Sequence, residues 1–188
     1  SFKKLFFLRY LRHMLKNIKN KEAILSKLGI EKLNQMQVEA FDTISSHSET
    51  ILLSPTGTGK TLAFLLPIID NLNPAIKNIQ VLILSPSREL AVQIEQVIRE
   101  MGSGYKANAI YGGRPGSKDK AEIKHPPAIL IGTPGRIADH LEREIFETRD
   151  IKTLVLDEFD KSLEVGFEED IKFITQELSF VNKKIFTS

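Results

Sequence analysis

Two short runs of residues carry types and spacings suited to joint chemistry. The first is Ser54-Pro55-Thr56-Gly57-Thr58-Gly59-Lys60-Thr61, set between two apolar stretches. Gly57 and Gly59 let the backbone turn so that successive N–H groups face one anion, and the start of a following helix adds partial positive charge. Lys60 would reach the β- and γ-phosphates of ATP, and the Thr61 hydroxyl would ligate Mg²⁺. The strict pattern begins with glycine, and Ser54 stands there; the apolar strand before and the apolar helix after supply the context that the motif requires. The second run is Thr153-Leu154-Val155-Leu156, which ends in Asp157-Glu158-Phe159-Asp160. Charges so close to a buried strand need a partner. Asp157 would hold Mg²⁺ directly or through water, and Glu158 would orient and deprotonate the water that attacks the γ-phosphate. Thr56, Gly57, Thr58, Gly59, Lys60 and Thr61 are thus the candidate nucleotide contacts. Lys60, Asp157 and Glu158 are the candidate catalytic residues, and Thr61 and Asp157 the candidate metal ligands.

A second kind of chemistry is spread over three segments: Pro86-Ser87-Arg88, Gly112-Gly113-Arg114 and Thr133-Pro134-Gly135-Arg136. Ser87 and Thr133 can each cap a helix, and Pro134 suits a first helical position. Two helix N-termini with an arginine beside each bind phosphate groups readily. Gly112 and Gly113 permit close backbone approach and positive φ, with Arg114 adjacent as a further charge.

Both sets must be positioned by elements that the pattern of apolar residues makes visible. Short β-branched runs at Thr50 to Ser54, Gln80 to Ser85, Ala107 to Ile110, Ala128 to Gly132, Thr153 to Asp157 and Lys184 to Thr187 read as buried strands. Between them lie helical segments at about Asn34 to Ser45, Lys60 to Asn71, Arg88 to Met101, Ser117 to Lys124, Pro134 to Arg143 and Phe167 to Leu178. That alternation predicts an α/β domain with a largely parallel sheet and helices on both faces, its ligands gathered beyond the carboxyl ends of the strands. Each of the segments above falls at such an end.

The chain of 188 residues, 41% hydrophobic and 27% charged, suits one domain with a substantial core. It has no cysteine, and its four histidines stand far apart, which excludes a disulfide framework and a zinc site. A reducing, cytoplasmic setting is expected, and no apolar run approaches the roughly 18 to 20 residues that span a bilayer. Residues 1 to 21 hold seven of the 26 basic residues and no acid. Leu8, Leu11, Leu15 and Ile18 share one helical face there, so residues 1–20 read as a basic amphipathic extension and residues 21–188 as the domain proper. The extension would pack on its own domain, contact nucleic acid or lie on an anionic surface.

Taken in order, these motifs resemble those of the DEAD-box RNA helicases from about Leu28 to the last residue. Leu28-Gly29-Ile30 followed by Gln37 resembles that family's glutamine motif, which implies that Gln37 reads the adenine edge; Ile30, Leu33 and Asn34 stand where the family usually has Phe, Pro and Thr. The three phosphate-seeking segments resemble the family's RNA-backbone motifs, and Asp157 to Phe167 resembles its acidic motif, with Phe159 at the usual alanine position. The resemblance implies a RecA-like ATP-binding domain of the phosphate-loop class, expected to be monomeric. It further implies that the chain continues past Ser188 into a serine-alanine-threonine motif and a second RecA-like domain that supplies arginines to the ATP site. The implied activity is ATP-dependent remodelling of RNA through base-independent backbone contacts. An ATP-gated RNA clamp with little turnover, and a DNA translocase of a related group, are the alternatives.

Overall fold

A computed structural model describes residues 21–188; the basic extension expected over residues 1–20 lies outside the described residues. The element order is α1 (Lys21–Lys27), α2 (Gln35–Ser46), β1 (Glu49–Leu52), α3 (Lys60–Asn71), β2 (Val81–Leu84), α4 (Arg88–Met101) and β3 (Ala107–Ile110). It continues with α5 (Gly116–Ile123), β4 (Ile129–Gly132), α6 (Pro134–Glu142), β5 (Thr153–Leu156), α7 (Phe159–Val165), α8 (Glu168–Glu177) and β6 (Lys183–Thr187). The six strands form one sheet in the order β1-β6-β5-β2-β4-β3, and every neighbouring pair is parallel.

The sheet divides two apolar layers. Along β2, Val81 and Ile83 face a layer built with α1, α2, α3 and α4, whereas Leu82 and Leu84 face a layer built with α5, α6 and α8. Burial on both faces is why β2 and β4 are continuously apolar rather than alternating. The edge strand β1 is covered on one face only, and it alternates exposed and buried, with Ile51 71% exposed. Two helices were not visible in the pattern. α1 lies outside the alternation of strands and helices, and α7 is a short element folded into the acidic segment, closed at Gly166 with φ 96.

The strand order arranges the chemistry. At the carboxyl edge of the sheet, the phosphate loop follows β1, Ser188 follows β6 and the acids follow β5. Next come the segments after β2, β4 and β3. The two candidate sites therefore occupy adjacent halves of one edge, where parallel α/β sheets bind ligands.

Candidate nucleotide and nucleic-acid sites

The phosphate loop leaves β1 and turns into α3 at Gly59, which takes φ 84 and ψ 24. A side chain there would be strained and would collide with Gln37. Ser54, in the usual glycine position, is half-buried and hydrogen-bonds the Thr58 hydroxyl, which in turn donates to the Pro55 carbonyl at 2.7 Å. The departure from pattern thus becomes a clasp across the loop. Lys60 is 8% exposed, and its Nζ lies 3.2 Å from the Ser54 carbonyl and 3.1 Å from Glu158 Oε1.

Gln37, the candidate adenine reader, lies in the first turn of α2. With Asn34 it forms a capping box: Gln37 N–H donates to Asn34 Oδ1 at 2.9 Å, and Asn34 N–H donates to Gln37 Oε1 at 3.0 Å. Its Nε2 donates to the Gly59 carbonyl at 3.3 Å, and Asn34 Nδ2 donates to the Thr58 carbonyl at 3.0 Å. Each end of the amide makes one bond to protein, so Gln37 holds the phosphate loop against α2. Asn34, where the family usually has Thr, supports the same arrangement.

On the acidic side, Asp157 is buried and its Oδ1 accepts from the Thr187 hydroxyl at 2.7 Å, while Thr187 Oγ1 accepts from the Glu158 N–H at 3.0 Å. Burial pushes the Asp157 carboxyl above its ordinary pKa; the Thr187 hydrogen bond opposes this, and the neighbouring Glu158 charge adds to it. Glu158 is moved the other way. Its partial burial works upward, but the hydrogen bonds and charges of Lys161 and Lys60 outweigh it and hold the carboxyl below the usual range. Lys161 Nζ lies 2.5 Å from Glu158 Oε2, so two lysines grip this one carboxylate. Glu158 itself sits at φ 50, ψ 51, a left-handed conformation uncommon for a non-glycine residue and concentrated at functional sites. Thr61 and Asp157 line one open cavity of about 320 Å³, together with Gln93 and Ile94 of α4. A buried carboxylate and a hydroxyl on one open cavity fit Mg²⁺, which keeps several waters and takes few protein ligands. Phe159 packs edge-to-face on Phe186, centroids 5.5 Å apart, and joins the second apolar layer, where it anchors α7.

Across the edge, Ser87 caps α4 as expected, accepting from the Leu90 N–H at 3.2 Å. Thr133 does not cap α6: its side chain makes no capping hydrogen bond, and α6 starts on Pro134 instead. Pro86 and Pro134 are buried and shape the turns that lead into α4 and α6. Gly113 takes φ 85, whereas Gly112 has an ordinary φ. Arg88 is exposed, 5.5 Å from the Tyr111 ring centroid. Arg114 stacks over the same ring at 4.9 Å and pairs with Asp119 and with Glu122, the latter at 2.7 Å. Burial disfavours the Arg114 charge, yet its bonds to Glu122 and Asp119 raise its pKa. Arg136 donates to Asp119 and to the Arg114 carbonyl, each at 2.7 Å.

All the residues expected from the pattern therefore lie at one edge, but four that organise them were missed: Thr187, Lys161, Tyr111 and Asp119. Thr187 and Asp119 gave no local signal, since a hydroxyl at a strand end and an acid in a polar helix are common. Lys161, three residues beyond Glu158, has the spacing of a helical ion pair, which a reading of α7 as a helix would have exposed.

Comparison with known proteins agrees with this geometry. The sequence profile of the DEAD/DEAH box helicase family matches residues 34–188. The chain is 39% identical over 155 residues to the ATP-dependent RNA helicase CshA of Limosilactobacillus reuteri, covering 81% of this chain and 31% of that protein. It is 37% identical over 157 residues to the ATP-dependent RNA helicase DeaD of Escherichia coli, covering 82% of this chain and 25% of that protein. The crystal structure of a DEAD box protein from the hyperthermophile Methanococcus jannaschii superposes with a TM-score of 0.79 at 30% identity, over 92% of this chain and 47% of that one. The chain thus spans about a third or less of the curated relatives' length, and over that span it belongs to the DEAD/DEAH box helicase family.

Proposed function

We propose that this chain is the ATP-binding half of an RNA-remodelling enzyme that couples ATP hydrolysis to rearrangement of RNA. The observation that carries the reading is the meeting of Lys60 and Glu158 at 3.1 Å, from two distant motifs, beside a cavity shared by Thr61 and Asp157. Loop N–H groups from Thr56 to Thr61 and the Lys60 ammonium would bind the triphosphate. Thr61 and Asp157 would hold Mg²⁺, which when bound neutralises charge on the phosphate oxygens. Glu158 would position the attacking water and accept its proton. Lys60 and Lys161 both pair with Glu158, so Lys161 would hold that carboxylate in place when Lys60 turns to phosphate. Gln37 would read adenine with the amide N–H and the oxygen lone pair that its bonds to Gly59 and Asn34 leave over.

RNA as the substrate is supported by the relatives being named ATP-dependent RNA helicases, and base-independent grip by helix N-termini and arginines that seek phosphate. Ser87, Arg88, Gly112, Gly113, Arg114, Thr133, Gly135 and Arg136 are the proposed track. Both ion pairs of Glu158 are with lysines, so the arginines that phosphoryl transfer commonly needs are assigned to a second RecA-like domain. A cytoplasmic setting suits a cysteine-free chain with RNA as partner. The deciding experiment measures ATP hydrolysis by the full-length protein alone, with single-stranded RNA and with single-stranded DNA. Stimulation by RNA above DNA is expected. Equal stimulation would favour a DNA translocase, and tight RNA binding without turnover an ATP-gated clamp.

A further inference from the structure

We propose that Asp119 is a positioning residue for the nucleic-acid track: one buried carboxylate that joins Arg114 to Arg136 and holds Arg136 in one orientation. The inference rests on the proposed RNA track and adds to it the residue that sets its geometry. Asp119 is fully buried in the first turn of α5. Its Oδ1 accepts from Arg114 Nε at 2.5 Å and its Oδ2 from Arg136 Nε at 2.7 Å. His140 Nε2 lies 3.1 Å from Oδ2 but is not aligned for a hydrogen bond, so the two arginines are its hydrogen-bonded partners. The two arginines are also joined directly, through Arg136 Nη2 and the Arg114 carbonyl at 2.7 Å.

These bonds tie the loop after β3 to the helix after β4. Through Arg114 the tie extends to Glu122 and to the face of Tyr111, which Arg88 also approaches. Three segments separated in sequence thus share one connected set of side chains. A buried ion pair is a poor way to gain stability, since apolar residues of similar volume do as well or better. What it does provide here is orientation. A guanidinium has five N–H donors in a rigid fork. Arg136 gives Nε and Nη2 to protein, and its Nη1 has no hydrogen-bond partner among the described residues. A side chain already held in one rotamer loses little freedom when a phosphate binds.

The proposal makes a prediction whose sign differs from that of simple charge counting. Asp119→Asn removes a negative charge beside the track. If Asp119 merely neutralised the arginines, the variant would bind RNA more tightly; as a positioning residue its loss weakens binding, because the arginines bond opposite oxygens and one of them would face the donor NH₂ of the amide. The test is a fluorescence-anisotropy titration of the full-length protein with fluorescein-labelled oligo(U) RNA, alongside titration with a fluorescent ADP analogue. Asp119→Asn should weaken RNA binding by about tenfold, the size of one charge-assisted hydrogen bond, and leave ADP affinity unchanged. Should that variant not fold, Glu122→Gln serves in its place: Glu122 is partly exposed and braces only Arg114, so it releases one tether, and weaker RNA binding is again expected. RNA affinity at or above the wild-type value in the folded variant overturns the positioning role alone. A wild-type protein that does not bind oligo(U) overturns the proposed RNA track, and the positioning role with it.

Discussion

The two halves of the sheet edge handle charge in opposite ways. On the nucleotide side, Lys60 and Lys161 both pair with Glu158, at 3.1 and 2.5 Å, and an arriving phosphate can take one lysine while the other remains. On the nucleic-acid side, Arg114 and Arg136 are bound to Asp119, which is fully buried and cannot exchange its partners for solvent. Exchangeable pairs suit a site that must reorganise once per turnover. Fixed pairs suit a track that recognises a repeating backbone by shape. Arg88 touches the second arrangement only through the Tyr111 ring and otherwise stands exposed at the capped start of α4.

The sharpest way to break this comparison is at Glu158. In the full-length protein, Glu158→Gln should lower ATP turnover by about 10² to 10⁴-fold, the usual worth of a general base, and retain ATP binding. Steady-state hydrolysis and calorimetry check the two halves of that statement, and wild-type turnover would remove Glu158 from the chemistry. A smaller but more diagnostic contrast lies in stability. Arg136→Ala leaves a buried carboxylate short of a partner and should cost about 3 kcal/mol in chemical denaturation. Lys60→Ala leaves Glu158 still paired with Lys161 and should cost less than Arg136→Ala in the same experiment, while nucleotide affinity falls by about tenfold or more. Equal destabilisation by the two variants would erase the distinction between fixed and exchangeable pairs.

Helix capping sharpens the same comparison at lower energy. Ser87→Ala removes a cap hydrogen bond and should cost about 1 kcal/mol, whereas Thr133→Ala, which removes no cap, should stay within about 0.5 kcal/mol of wild type in the same unfolding experiment. The smallest effect is expected at Arg88. Arg88→Ala should leave stability unchanged but reduce the slope of log RNA affinity against log salt by about 0.7, one single-strand phosphate contact. A wild-type slope in a salt titration would take Arg88 off the track.

The sequence by itself determined the class of fold and the residues of the candidate nucleotide site. Continuous apolar runs such as Val81 to Leu84 announce strands buried on both faces, and a parallel sheet follows from their alternation with helices. Gly57, Gly59, Lys60 and the acids at Asp157 and Glu158 were legible because their chemistry is local: a turn, a helix start and a strand end each need particular residues within a few positions. Only the tertiary structure decided how distant segments meet. No spacing relates Lys60 to Glu158, Thr187 to Asp157, or Asp119 to Arg136, because those contacts depend on strand order, which places β6 between β1 and β5 and β4 beside β3. For the same reason Gln37 was legible as a residue but not as a brace on Gly59. Nor could residue type alone show that Ser87 caps its helix while Thr133 does not. A side chain's type limits which bonds it can make; the packing of elements remote in sequence selects which of them it does make.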